Sequence, residues 1–227
     1  MDEGVSAFEA ILNQGKERFY KPNGTLDFSN KNAQAAFNTT AALLKAGVSA
    51  RVSPRTNDWY SSLTSDTFAV SLAPAWNLEY FKSKAPKAKG KWDVAKIPGG
   101  GGNIGGTQLG IPISSAHKSQ AFDFIKWYLA PAQQLTAFKK QGLFPSAKVL
   151  YSNSAIKGYK DKYFNGAPTG VIYAQSASQY HPPTYGPKDA AIVGAFGQAL
   201  QAIAAKPKTN VGSAWSQALN SVRKITH

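Results

Sequence analysis

Apolar residues recur every three to four positions along much of the chain, and this spacing predicts amphipathic helices. The clearest stripe runs through Val211, Trp215 and Val222 near the carboxyl end. Glycine or proline stands at several of the expected helix ends, where these residues are common. Further helices are predicted at residues 5–14, from the Ser29–Asn30 cap to Gly47, at 57–63, from the Ser114–Ser115 cap to Leu129, at 131–142 and at 187–205.

Residues 68–114 follow a different pattern, and the helices are predicted to pack around this stretch. Three apolar runs of strand length are separated by a lysine-rich loop and a glycine cluster. The predicted strands are 68–73, Trp92–Pro98 and Leu109–Ile113. A turn sequence at Lys21–Gly24 predicts a small hairpin, whereas residues 143–186 are predicted to be mostly irregular. Many helices and few strands, without regular alternation, are typical of a mixed α/β protein.

The composition is that of a folded protein without covalent cross-links. The chain has 227 residues, 43% of them hydrophobic, which suffices for one large domain or two small ones with a real core. Cysteine is absent, so disulfides and thiolate metal sites are excluded. No apolar run approaches the roughly 20 residues of a membrane helix. The acidic, interrupted start differs from a signal peptide, so we expect either a cytosolic chain or a signal outside these residues.

Basic residues strongly outnumber acidic ones. The 26 lysines and arginines against 12 aspartates and glutamates give a net charge of +14. This balance favours anionic partners such as nucleic acid, anionic lipid, wall polymer or acidic ligands, unless it only reflects a solvated surface. The lysines cluster at one place, which contains Lys82, Lys84, Lys87, Lys89 and Lys91. That segment has two aromatic neighbours but no arginine, and its lysine spacing is a poor match to a nucleic-acid-binding motif. We therefore expect no nucleic-acid partner.

The sequence contains no pattern typical of a catalytic or metal site. Glycines at 100, 102 and 105 satisfy a dinucleotide-binding string, but that motif must open a helix, whereas Thr107–Pro112 is predicted to be a strand. His117, His181 and His227 lack a carboxylate or second histidine at metal-ligand spacing. No pair of acids suggests acid–base catalysis, and no serine lies in a nucleophile elbow. The sequence therefore favours a binding protein over an enzyme, with no cofactor and no metal.

Aromatic residues at the ends of predicted elements are the strongest sign of a ligand. Tryptophan and tyrosine at such positions stack on the apolar face of a sugar ring, while polar neighbours bind its hydroxyls. A glycine pair followed by threonine would allow a ligand close to the backbone and would offer N–H groups and a hydroxyl. The candidate residues are Trp59, Trp76 and Tyr185 together with Gly105, Gly106 and Thr107. Core packing is the alternative for each aromatic ring.

An ordered series of short motifs runs through the same part of the chain. Asp66–Val70 followed by Ala73–Trp76 resembles a G-x-x-A-M…G-x-W segment, and Trp92–Pro98 resembles a W-x-V-x-x-x-P strand. Gly105–Ile111 is similar to G-G-S/T-x-L-x-I. The series continues with Ala121–Leu129, Gly142–Ser146 and Tyr163–Gly166. No single motif is specific, but their order and spacing resemble those of the bacterial extracellular solute-binding proteins (family 1) of sugar ABC importers.

This resemblance implies the fold of type II periplasmic binding proteins, in which two α/β lobes hold a sugar in the cleft between them. The chain would correspond to the later part of that fold, with an incomplete N-terminal lobe. Residues 1–98 would belong mostly to the C-terminal lobe and 99–145 to the N-terminal lobe and hinge crossing, and 146–227 would complete the C-terminal lobe. Gly105–Ile113 would then present an exposed sheet edge, which invites partner chains.

The resemblance also implies a function outside the cytoplasm, in the periplasm or as a cell-surface lipoprotein. The protein would bind a mono- or oligosaccharide and deliver it to ABC transporter permease subunits. Trp76 would stack on the sugar ring, and Gly105, Gly106 and Thr107 would touch hydroxyls from the opposite lobe. Tyr185 and Trp59 are additional candidates. The positive net charge leaves two alternatives open. The chain could be a binding protein for an anionic solute, or a polyanion-binding module centred on Lys82–Lys91.

Overall fold

Ten α-helices dominate the computed structural model, which describes residue 1 and residues 4–226. They are α1 (Ala7–Leu12), α2 (Lys31–Lys45), α3 (Asn57–Ser62), α4 (Leu78–Lys84), α5 (Lys118–Tyr128), α6 (Pro131–Gln141), α7 (Ser154–Lys157), α8 (Thr169–Gln179), α9 (Asp189–Ala205) and α10 (Val211–Thr226). Short 3-10 turns lie at Ala75–Asn77, Pro86–Ala88 and Lys148–Ser152. Among the described residues, no helix is long and apolar enough to cross a membrane.

The helices belong to two compact units. Unit 1 consists of Met1–Leu72, Ile97–Ile104 and Gln179–His227. Unit 2 consists of Ala73–Lys96 and Gly105–Ser178. These units do not follow the boundaries of the lobes that the family resemblance implies, and the assignment of residues to lobes stays a prediction.

The core of unit 1 is an aromatic cluster held between α1, α2, α9 and α10. Phe196 of α9 lies at its centre and is fully buried. Its ring stacks on Trp215 at a centroid distance of 5.0 Å and on Phe19 at 5.7 Å. Phe8 and Phe37 contact the same ring at 5.5 and 6.0 Å. Each aromatic pair adds about 0.5–1.5 kcal/mol beyond the apolar area that it buries, so these rings fix how the four helices pack.

Several local predictions are confirmed. Asn30 caps α2, because its side-chain oxygen accepts a hydrogen bond from the backbone N–H of Ala33 at 2.9 Å. The predicted hairpin forms an antiparallel bridge between Tyr20 and Leu26. At the end of α6, Gly142 has a φ of +71°, a left-handed conformation that glycine adopts without steric cost. The stripe predicted for α10 is buried through Ala214, Trp215, Ala218 and Val222.

The prediction of three strands is wrong. Residues 68–73, Trp92–Pro98 and Leu109–Ile113 are not paired into strands, and the pairings in the described part of the chain are isolated bridges. A strand requires a neighbour for its backbone hydrogen bonds, and β propensity alone does not supply one. Trp92, which was expected inside a strand, lies in a loop and meets Phe81 edge-on at 5.3 Å.

Several helix predictions also need correction. α4 lies where a lysine-rich loop was predicted, and α7 lies in the stretch 143–186 that was predicted to be irregular. α8 lies within the same stretch, which was predicted to be irregular. The sequence pattern did not indicate this helix because small and polar residues weaken its apolar stripe. Gly170 on α8 packs closely, since a Cβ there would lie 2.2 Å from the carbonyl oxygen of Ile156. α5 begins at Lys118, and the predicted cap residue Ser115 accepts a hydrogen bond with its Oγ from the backbone N–H of His117 at 3.2 Å. α9 begins at Asp189 rather than at Pro187.

Unit 2 is held together by contacts between α4 and the loop that follows α7. The ring of Phe81 meets that of Phe164 at 5.8 Å. The Tyr163 hydroxyl donates to the Ala85 carbonyl at 2.6 Å. Lys82 forms an ion pair of 2.9 Å with Asp161, whose side chain is buried. A buried carboxylate is tolerated here because a cation neutralises it.

α5 exposes an unusual number of large apolar side chains. No residue of α5 is buried. The exposed side chains, each between 45% and 57% accessible, are Phe122, Phe124, Trp127 and Tyr128 of α5 and the adjacent Leu129. Contiguous apolar surface of this kind marks a place where another molecule or segment binds.

Replacing both Phe124 and Trp127 with serine should reduce the binding of the neutral apolar dye Nile red. The two rings lie 5.9 Å apart and form the centre of the exposed surface of α5. The dye's fluorescence in the wild type and the double variant measures the effect. A matched control replaces Val70 and Val149, which are also exposed, with serine. Equal fluorescence in the wild type and the α5 variant would contradict the prediction.

Candidate functional site

Trp76 lies in the 3-10 turn Ala75–Asn77, directly before α4. The turn is fixed by a hydrogen bond of 2.8 Å from the backbone N–H of Asn77 to the carbonyl of Pro74. The indole ring of Trp76 is half-buried and meets Tyr80 edge-on, with centroids 6.2 Å apart and an angle of 81°. Part of Trp76 is therefore accessible, and the turn fixes the backbone that carries the ring.

A small cavity is lined by residues on both sides of Trp76. Its volume of about 10 Å³ leaves room for roughly one water molecule. The lining residues are Ala75, Leu78, Phe138, Gly142, Phe144, Asp161, Thr169, Gly170 and Tyr173. The Tyr173 hydroxyl donates to the carbonyl of Ala73 at 2.8 Å, and burial raises the pKa of this phenol well above its ordinary value. The cavity is too small for a sugar ring, so its residues support the turn of Trp76.

The segment of Gly105, Gly106 and Thr107 also belongs to unit 2. It is exposed and irregular. The φ angles of Gly105 and Gly106 are +71° and +141°, which side chains of L residues rarely adopt. A Cβ at either position would meet no heavy atom within 4 Å. Glycine is therefore required by the backbone conformation rather than by crowding, and the surface of this segment remains accessible.

Trp59 and Tyr185 belong to unit 1 and differ in accessibility. Trp59 is 0% exposed and meets Tyr60 edge-on at 5.6 Å, so core packing accounts for it. Tyr185 is 54% exposed, in the loop between α8 and α9. Its ring lies 5.2 Å from the guanidinium carbon of Arg18. The structure thus places Trp76 and the Gly105–Thr107 segment in one unit, and Trp59 and Tyr185 in the other.

Arg18 is the centre of a polar cluster that the sequence did not reveal. Only 3% of its side chain is exposed. Its guanidinium donates three hydrogen bonds: from Nε to Asp189 Oδ2 at 2.7 Å, from Nη2 to Glu9 Oε1 at 2.7 Å and from Nη1 to Asn13 Oδ1 at 2.6 Å. The cluster joins α1 to the start of α9, which lies 171 residues from Arg18 in sequence.

The charges of this cluster are strongly coupled. Burial by itself would lower the pKa of Arg18, but the hydrogen bond with Glu9 and the charge of Asp189 outweigh burial and raise it. Burial raises the pKa of Asp189, and Arg18 offsets this only in part. Asp189 Oδ1 is buried and has no hydrogen-bond donor among the described residues. Burial, together with a hydrogen bond to Tyr180, raises the pKa of Tyr185 to about 12.

The end of α1 also holds the glycine cluster. Gln14 Nε2 donates to the carbonyls of Pro98 and Gly100 at 2.8 and 2.9 Å. Asn13 Nδ2 donates to the carbonyl of Asn103. The amide side chains thus bind carbonyl groups of the cluster. A dinucleotide-binding loop would instead direct backbone N–H groups of a helix start at phosphate, so this segment does not have that geometry.

Replacing Arg18 with methionine should lower the free energy of unfolding by about 3–5 kcal/mol, because Asp189 and Glu9 would lose their buried partner. Urea unfolding followed by circular dichroism measures the change. The control is Arg223→Met on the exposed face of α10, where the Arg223 side chain donates a hydrogen bond of 2.7 Å to the exposed Asn220 Oδ1. That variant should stay within about 0.5 kcal/mol of the wild type. If both variants unfold at the wild-type urea concentration, the Arg18 cluster does not stabilise the protein.

Comparisons with known proteins show which family the chain belongs to. The sequence model of the bacterial extracellular solute-binding proteins matches residues 6–165. A lactose-binding protein of Rhizobium radiobacter is 28% identical over 123 residues, which cover 51% of this chain and 29% of that protein. The crystal structure of an extracellular solute-binding protein of family 1 superimposes with a TM-score of 0.85 at 32% identity and covers 100% of this chain and 58% of that one.

A second solved structure has the same fold. It is the ABC transporter associated binding protein from B. animalis subsp. lactis Bl-04 in complex with β-1,6-galactobiose. The TM-score is 0.69 at 22% identity, over 97% of this chain and 58% of that one. The present chain therefore spans less than two thirds of the length of these relatives. The predicted fold class, a helix-rich α/β fold like that of type II periplasmic binding proteins, is confirmed. The chain belongs to the bacterial extracellular solute-binding proteins.

Proposed function

We propose that the chain binds a neutral mono- or oligosaccharide as part of a solute-binding protein that supplies an ABC importer. The half-buried ring of Trp76, held in a fixed turn, is the observation that carries this proposal. Two similar proteins support the choice of ligand, since one is named for lactose and the other was solved with a galactobiose. The whole protein would work outside the cytoplasm, and its partners would be permease subunits.

In this proposal the ligand meets an aromatic face and polar backbone groups. The apolar face of a sugar ring stacks on Trp76, because an indole offers a large flat surface at little cost in side-chain entropy. Gly105 and Gly106 offer backbone N–H groups, and Thr107 offers its hydroxyl. Tyr185 is a further aromatic candidate because its ring is exposed. Trp59 is left out of the proposed site because it is buried.

The affinity of this chain should be weak compared with that of its longer relatives. A micromolar ligand requires a binding free energy of about 8 kcal/mol, and losing half of it leaves roughly millimolar binding. The chain spans 58% of the length of the two solved structures. We therefore expect it to contribute only part of the contacts to a sugar, and binding experiments have to reach millimolar concentrations. The cleft and the lobe boundaries implied by the family resemblance remain proposals for the whole protein.

Replacing Trp76 with alanine should weaken the binding of β-1,6-galactobiose and lactose by about 3–10-fold, because the stacking contact is lost. Saturation-transfer difference NMR suits millimolar affinity and needs no tryptophan signal. The matched control is Trp127→Ala, since Trp127 is an exposed tryptophan outside the proposed site. That variant should bind both sugars as the wild type does.

Two results would contradict the proposal. The first is that neither this chain nor a version extended to the full length of its relatives shows saturable binding of either sugar. The second is that glucuronate displaces both neutral sugars at lower concentration than they displace each other. That outcome would establish the alternative of a binding protein for an anionic solute.

A further inference from the structure

The positive charge is unevenly divided between the two units. Unit 2 contains fourteen lysines, no arginine and four acidic residues, so it carries +10 of the net charge of +14. Unit 1 contains twelve basic and eight acidic residues, which leaves +4. The excess positive charge is therefore concentrated in unit 2.

Two lysine-bearing segments of unit 2 lie side by side. The backbone N–H of Gly90 donates to the carbonyl of Tyr163 at 2.8 Å, and the Tyr163 hydroxyl donates to the carbonyl of Ala85 at 2.6 Å. These bonds join the loop after α4 to the loop after α7. The exposed lysines of the two loops, which we name the lysine surface, are Lys87, Lys89, Lys91, Lys160 and Lys162.

The buried neighbours of these lysines keep them at the surface. Ala88 lies between Lys87 and Lys89 and is fully buried, and Phe164 follows the second segment and is buried as well. Asp161 lies between Lys160 and Lys162, but its side chain is buried in the ion pair with Lys82. The charge of Asp161 is therefore neutralised by Lys82, which is not part of the lysine surface. The remaining exposed acids near these segments are Glu79 and Asp93.

We propose that the lysine surface binds the surface of an anionic phospholipid membrane. Lysine attracts phosphate as a compact point charge, which suits a diffuse layer of headgroups. Specific phosphate recognition favours arginine with its paired donors, and unit 2 has no arginine. Single-stranded nucleic acid requires accessible aromatic side chains among the cations for stacking, whereas Trp92, next to Lys91, is partly buried and meets Phe81 edge-on. The choice of a membrane rests on the proposed function, since a protein that supplies an importer works beside one.

The test is sedimentation of the full chain with phosphatidylcholine vesicles, with and without phosphatidylglycerol, in the absence of sugar. We expect binding to the anionic vesicles alone, falling as salt screens the charges over a Debye length of about 8 Å at physiological ionic strength. Replacing all five lysines of the lysine surface with glutamine should reduce the partition coefficient by at least about tenfold. The matched control removes five exposed lysines of unit 1, namely Lys16, Lys31, Lys206, Lys208 and Lys224.

The control variant has the same net charge as the test variant, so it separates a specific surface from overall charge. Equal losses in the two variants would overturn the proposal, as would equal binding to neutral and anionic vesicles. Tighter binding to a single-stranded oligonucleotide than to anionic vesicles at the same salt would also overturn it. Circular dichroism establishes that both variants are folded. Because no sugar is present, failure of this assay is distinct from failure of the proposed sugar binding.

Discussion

The buried guanidinium of Arg18 is the interaction on which unit 1 depends. A cation with 3% of its side chain exposed is tolerated only because two carboxylates and an amide accept its hydrogen bonds. It thereby joins the first helix of the chain to the start of α9. The ring of Tyr185 lies against it, and Asn13, which accepts one of its bonds, also donates to the glycine cluster. One candidate ligand residue and the segment before Gly105 are thus both linked to the Arg18 cluster.

The sequence predicted local structure correctly where that structure depends on residues close together in the chain. The Asn30 cap, the Lys21–Gly24 hairpin and the apolar stripe of α10 are set by residues a few positions apart, and all three form. Strands depend on a partner elsewhere in the fold. The β-prone runs at 68–73 and Leu109–Ile113 therefore remain irregular in these residues, although their local propensity is high.

At the candidate site, too, the sequence does not predict features that depend on residues distant in the chain. Trp59 and Trp76 both lie near the ends of predicted elements, yet one is fully buried and the other is partly accessible. Only the packing of distant residues distinguishes them, so the sequence could not. Arg18 and Asp189 are 171 residues apart, and a single sequence carries no sign that they meet. The family resemblance was recognisable because it rests on the order of many short motifs, which does not require that any one element be correctly assigned.

We propose above all that Trp76 forms the face on which a sugar ring stacks. Two-dimensional ¹H–¹⁵N NMR tests it most directly, because the five tryptophans give separate indole N–H signals that single tryptophan-to-phenylalanine variants assign. On titration with β-1,6-galactobiose, we expect a saturable shift of the Trp76 signal, while the signals of the buried Trp59 and Trp215 stay in place. An unchanged Trp76 signal at a sugar concentration that saturates another indole signal would rule out stacking of the sugar on Trp76.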